Sequence, residues 1–183
     1  MRAIESKRTA APARSLLIIT GTMGAGKTAV LAEASDILGQ RRIAHAAIDV
    51  DALGVGHLPS SAAIDGVMYR NLRSVCRNYA ALGVRRFLLA RAIERAPELK
   101  ACREIVPAKN TVVCRLTANI KTMERRIEMR EPGMSQRECV ARVAVLDDIL
   151  DRVRLEDFTV ANESRSLTDV AHEMLVKARW ISS

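Results

Sequence analysis

Aromatic side chains are scarce: the 183 residues include two Phe, two Tyr and one Trp. Single-stranded nucleic acids are held largely by stacking on such rings, so this chain has little with which to grip bases. The formal net charge of +8 would otherwise invite that reading. Its Lys and Arg are scattered over helical segments instead of forming one block, which suits phosphate-bearing substrates better than a polynucleotide. Cysteines are few as well. Cys76, Cys102, Cys114 and Cys139 show no C-x-x-C spacing, and Cys114 lies inside an apolar run, so they read as free thiols of a reducing cytoplasm. No run approaches about 18 apolar residues, which excludes a membrane span. Residues 1–14 carry Arg2, Lys7, Arg8 and Arg14 but no apolar core. That pattern is not a secretory signal and is expected to form a basic, disordered tail. Residues 15–183 then read as one domain.

What the chain does have is Gly21-Thr22-Met23-Gly24-Ala25-Gly26-Lys27-Thr28, which satisfies G-x-x-x-x-G-K-[ST] at every fixed position. The apolar run Leu16–Thr20 precedes it and a helical pattern through Ala29 and Val30 follows. Glycines let successive backbone N–H groups turn inward, and the next helix adds the positive end of its dipole. Gly21, Met23, Gly24, Ala25, Gly26, Lys27, Thr28 and Ala29 are therefore the expected cradle for the phosphates of a nucleoside triphosphate. Lys27 would reach the β- and γ-phosphates, and the Thr28 hydroxyl would hold Mg²⁺.

Five short apolar runs alternate with longer helical patterns. Strands are expected at 15–20, 43–50, 84–90, 111–116 and 158–160. Helices are expected at 27–38 with Gly39 as a left-handed cap, from Ile64 to Leu82 ending at Gly83, and at 92–104 with an interruption or restart at Pro97. Three more are expected at 119–131, from Ser135 to Asp151, and from Ser166 to Trp180, with Pro132-Gly133 as a break that could hinge. Such alternation argues for an α/β fold, a parallel sheet covered on both faces, with ligands at the carboxyl ends of the strands.

Two features refine the site. Asp49-Val50-Asp51 closes the second strand, and residues two apart in extended chain face the same way, so both carboxylates are expected in the site. One acid could accept a metal-bound water and the other the proton of an attacking hydroxyl. The third strand, by contrast, runs Arg86-Phe87-Leu88-Leu89-Ala90-Arg91 with no acid until Glu94. Hydrolytic motors usually carry one at the end of such a strand, and its absence favours phosphoryl transfer to a small molecule. On the helix after residue 119, Met123 and Ile127 share a face that Arg126 and Arg130 flank, while Arg125 points away. Arg126 and Arg130 are thus candidates to neutralise charge on the transferred group, and Arg70, Arg73 and Arg77 are expected on a solvent face.

With these residues in hand, the chain resembles the P-loop small-molecule kinases, a group that includes shikimate and gluconate kinases, adenylylsulfate kinase and chloramphenicol phosphotransferase. The resemblance implies a three-layer α/β/α sandwich whose five parallel strands take the order 2-3-1-4-5, with a short helical lid over about 119–135. It also implies ATP with Mg²⁺, Thr28 and Asp49 near the metal, Asp51 as substrate-side base, and Arg126 and Arg130 as lid arginines. Arg115-Leu116-Thr117-Ala118 looks like the segment leading into that lid, and Asp157–Asn162 like the last strand and adenine-side loop. Adenylylsulfate kinase's substrate signatures are absent, so specificity does not transfer. The expected function is a cytoplasmic ATP-dependent kinase acting on a hydroxyl of a small molecule: a nucleoside, a sugar acid or an antibiotic. A polar cleft between the Asp51 loop and the helix beginning near Ser60 would favour the first two and an apolar one the last. A nucleotide-binding regulatory module and a polynucleotide end kinase stay open as alternatives. No membrane or nucleic-acid partner is expected, and nothing in the chain specifies an oligomeric state.

Overall fold

The computed structural model describes residues 14–56, 60–130 and 134–183. Residues 1–13 of the expected tail, the Pro132-Gly133 break and His57, a loop residue that could touch substrate, lie outside the described residues, as does the side chain of Ser135. Apolar, β-branched Ser15–Thr20 forms β1, and the P-loop leads into α1, Lys27–Gln40. β2 is His45–Asp49, followed by a 3₁₀ turn over Asp51–Gly54 and by α2, Ser61–Ala81. β3 (Arg86–Ala90), α3 (Ala96–Ile105) and β4 (Asn110–Thr117) come next. The chain finishes with α4 (Ile120–Arg130), α5 (Met134–Val153), β5 (Phe158–Ala161) and α6 (Leu167–Lys177). All strand pairings are parallel and the sheet order is β2-β3-β1-β4-β5, as expected from the resemblance.

Strand alternation divides the core in two. Leu17, Ile19, Leu88 and Cys114 face α1, α4, α5 and α6, whereas Leu16, Ile18, Phe87 and Val113 face α2 and α3. Residues of one strand thus serve both layers, which is why these runs are continuously apolar. Because every strand runs the same way, the loops after β1, β2 and β3 emerge at one edge and converge there.

Two local expectations need correction. Gly39 is not the left-handed cap of α1. The helix continues through it, and Arg42 (φ 55°) takes that conformation, with Ile43 N–H donating to Leu38 O and Arg42 N–H to Gly39 O. The helical segment does restart at Pro97: α3 begins at Ala96 with Pro97 in its first turn, where its missing N–H costs nothing. Leu82, assigned to the apolar stripe of α2, is 83% exposed beyond the helix end, and Cys76 joins Met68 and Leu72 in the core instead. Gly83 (φ 87°) closes α2 as expected.

Arg115 is a buried strand residue near the end of β4, the strand that leads into α4. Its guanidinium is 4% exposed and donates to Asp151 Oδ1 at 2.7 Å and to Asp147 Oδ1 at 2.8 Å, fastening β4 to α5. Truncation by Arg115→Met removes these charge-assisted bonds, though Asp151 can rehydrate because it is 67% exposed. The expected loss is about 2 kcal/mol of unfolding free energy, to be read from urea melts.

Candidate active site at the phosphate loop

α1 begins without a side-chain cap and without an acid in its first turn. Gly26, its N-cap, is left-handed at φ 93°, and a Cβ there would strike Asn162 Nδ2. At Gly24 (φ 76°) a Cβ would meet the backbone of Met123, its Cα and carbonyl carbon both at 2.8 Å. The loop is therefore clamped between α4 and the segment after β5 with no room for side chains. The uncapped N–H groups of the first turn suit the oxygens of a phosphate chain.

Ala25 is fully buried and Thr22 nearly so, with the Thr22 hydroxyl donating to Val143 O at 3.3 Å. Lys27 Nζ donates to Thr22 O at 3.2 Å. Burial lowers the Lys27 pKa, and Asp51 and Asp49 oppose that shift. Thr28 and Ala29 stand exposed on the outer face of α1, and the Thr28 hydroxyl donates to Asp49 Oδ2 at 2.6 Å. A hydroxyl and a carboxylate side by side are hard oxygen donors of the kind Mg²⁺ takes, with phosphates and waters completing its shell. Among the described residues no group of three or more His, Cys, Asp or Glu could hold a metal, so such an ion would draw most of its ligands from the phosphates and water.

Asp49 and Asp51 do meet near Lys27, but by a different route from the extended pairing. Val50 is helical (φ −71°, ψ −33°), so the chain turns before Asp51, whose N–H donates to Asp49 Oδ1 at 3.2 Å. Asp51 Oδ1 then accepts from Arg91 Nη1 at 2.9 Å. Arg91 is the residue that sequence reasoning missed. Only 12% of its side chain is exposed. It also donates to Asp65 Oδ1 at 3.4 Å and to the Met68 sulfur at 2.9 Å, and it lies 5.4 Å from the Tyr69 ring centroid. Burial pushes the Tyr69 phenol up to about 12. The Ala90-Arg91 ending of β3 was the one visible signal, since a strand that reaches a phosphate site with arginine in place of acid must find counter-charges elsewhere.

Beside Lys27 and Asp51 opens a cavity of about 400 Å³. Arg91, Glu94, Glu138 and Arg142 supply its other charges, and Met23, Cys139 and Leu146 its apolar surface. Arg142 Nη2 donates to Glu94 Oε1 at 2.7 Å, linking α5 to the loop after β3. The smaller cleft between the 3₁₀ turn and α2, about 240 Å³, is lined largely by Leu53, Val55, Ile64 and Val67. Asn71 secures its edge by donating to Leu53 O at 2.8 Å.

On the other side of the loop, a cavity of about 370 Å³ is lined by Gly24, Gly26, Ala29, Arg126, Arg130 and Asn162, among others. Arg126 donates to Gly24 O at 3.2 Å and to Asn162 O at 2.9 Å, so it spans the phosphate loop and the end of β5. Asn162 Nδ2 donates to Ala25 O at 2.8 Å. Met123 and Ile127 are buried and Arg125 is exposed, as the helical spacing indicated. Arg70, Arg73 and Arg77 are exposed too.

The cysteines divide by environment. Burial pushes Cys76 and Cys102 up to about 11 and Cys114 to about 12, whereas Cys139 is half-buried at the larger cavity. Thiolate is the reactive form. A disulfide reagent at pH 7 should therefore titrate one thiol quickly in the native protein and all four after unfolding.

No known family model matches the sequence, and no curated protein is similar to it. Solved structures are similar in three dimensions. Shikimate kinase from Acinetobacter baumannii superimposes with a TM-score of 0.61 at 15% identity, over 93% of this chain and 95% of that one. A gluconokinase from Sinorhizobium meliloti gives 0.61 at 15% identity, over 91% and 92%. The APS kinase of Mycobacterium tuberculosis, in complex with AMPPNP and APS, gives 0.61 at 20% identity, over 93% and 99%. The fold is thus the α/β P-loop fold shared by these small-molecule kinases. Among the described residues no helix is long and apolar enough to cross a membrane.

Proposed function

We propose that this chain is an ATP-dependent, Mg²⁺-requiring phosphotransferase that moves the γ-phosphoryl group to a hydroxyl of a small molecule. The observation that carries this reading is the meeting of Lys27, the Thr28–Asp49 contact and Asp51 at one edge of the sheet, beside a cavity sized for a small acceptor. Mg²⁺, held by Thr28 and Asp49, would draw off charge from the phosphate oxygens. Lys27 and the loop amides would bind the phosphate chain, and Arg126 and Arg130 would face the nucleotide from α4. Asp51 would take the acceptor's proton as its oxygen bonds to the γ-phosphorus. The bond from that phosphorus to the β–γ bridging oxygen breaks, and ADP leaves. The cavity beside Lys27 and Asp51 is charged and suits a polar acceptor, whereas the cleft between the Asp51 turn and α2 is lined mainly by apolar side chains, the lining that favours an antibiotic.

Calorimetry with ATP and Mg²⁺, followed by mass spectrometry of candidate acceptors, tests this reading. One ATP site and a gain of one phosphoryl group on a hydroxyl compound are the expected results. One observation favours a second reading. The Arg91–Asp51 ion pair engages an oxygen of the proposed base, as a nucleotide-binding regulatory module could tolerate. Tight ATP binding without transfer to any acceptor would select the module.

A further inference from the structure

The cavity next to Lys27 and Asp51 has a charge pattern that bears on its acceptor, and the inference rests on the phosphotransferase reading above. Its lining carries three cations, Lys27, Arg91 and Arg142, and three anions, Asp51, Glu94 and Glu138. Lys27 belongs to the phosphate loop, which leaves Arg91 and Arg142 against the three acids. Each guanidinium already has an acid partner. Arg91 is held by Asp51 at 2.9 Å and by Asp65 at 3.4 Å, so one cation faces two anions. Arg142 is held by Glu94 at 2.7 Å. An anionic acceptor would compete with these acids for the guanidiniums, a penalty that works as discrimination.

A cation meets the opposite situation. Glu138 is exposed on α5, one helical turn before Arg142, and makes no ion pair among the described residues. The acceptor side of the site is therefore net negative in a chain whose formal charge is +8. Met23, Cys139 and Leu146 give the same cavity an apolar surface against which a carbon skeleton can pack. We propose that the acceptor is an amine-bearing alcohol, its hydroxyl at Asp51 and its protonated amino group toward the Glu94 and Glu138 wall. The reaction is then transfer of the γ-phosphoryl group from ATP to that hydroxyl, leaving ADP and the phosphate ester of the amino alcohol.

The test incubates the full chain with ATP, Mg²⁺ and a set of hydroxyl compounds matched in size across three charge classes: amino sugars and amino cyclitols, neutral sugars, and sugar acids. Products are read by mass gain. Preferential phosphorylation of the amine class supports the proposal. Preferential phosphorylation of the neutral or acidic class overturns it while leaving the phosphotransferase reading standing. Transfer to no class, with ATP still bound, overturns both. For the best amine substrate, Glu138→Gln should raise KM about fivefold with kcat retained, the scale of one exposed ion pair. An unchanged KM in Glu138→Gln and in a Glu94→Gln variant would overturn the assigned wall.

Discussion

Replacing Gly24 by alanine is expected to weaken ATP binding by at least about a hundredfold and to destabilise the fold by about 3 kcal/mol. Two costs combine. The left-handed backbone at φ 76° disfavours any Cβ, and the new methyl would lie within 2.8 Å of Met123 backbone atoms. Met123 is fully buried on α4, so its backbone has no open side toward which to retreat. Separating the loop from α4 would also break the bond from Arg126 to Gly24 O. Calorimetry with ATP and Mg²⁺ and a thermal melt check the two effects separately. Wild-type affinity in the alanine variant would show that the loop does not need this close contact.

The second large effect concerns chemistry without binding. Asp51→Asn should lower phosphoryl transfer by ~10²- to 10⁴-fold, the range for loss of a general base. ATP affinity should change little, because the neighbouring Thr28–Asp49 contact and the loop amides are untouched. The asparagine carbonyl can still accept from Arg91, so the substitution removes proton-accepting capacity while keeping the anchor. A large loss of ATP affinity in this variant would assign Asp51 to nucleotide binding instead. Transfer at the wild-type rate would sink its role as base.

The parts of this site that were legible in the sequence are those whose geometry is local. The phosphate loop, its strand and its helix are contiguous, and the glycine positions follow from the backbone they must adopt. Met123, Ile127, Arg125 and Arg126 could be sorted by helical spacing because α4 is regular across them. Asp49 and Asp51 were placed in the right region for an incomplete reason. The extended-chain argument ends at Asp49, and a helical Val50 brings Asp51 round through an Asx-type hydrogen bond. Arg91 could not be read ahead of the fold, because its partners Asp51, Asp65 and Met68 come from two other elements that only the sheet order brings together. Arg115 was illegible for the same reason, since Asp147 and Asp151 lie on a helix more than thirty residues away.

The parallel sheet has a practical consequence at its other edge. Ser15, at the start of β1, and Trp180, just beyond α6, line one cavity there, together with Asn110 and Phe158 at the starts of β4 and β5. Both residues thus stand at the amino ends of the strands, with the length of the strands between them and the phosphate loop. Tethering the protein to a sensor surface through residue 183 should leave the nucleotide cleft facing solution. Joining the two neighbourhoods with a short linker should also permit a circular permutant reopened at an exposed loop.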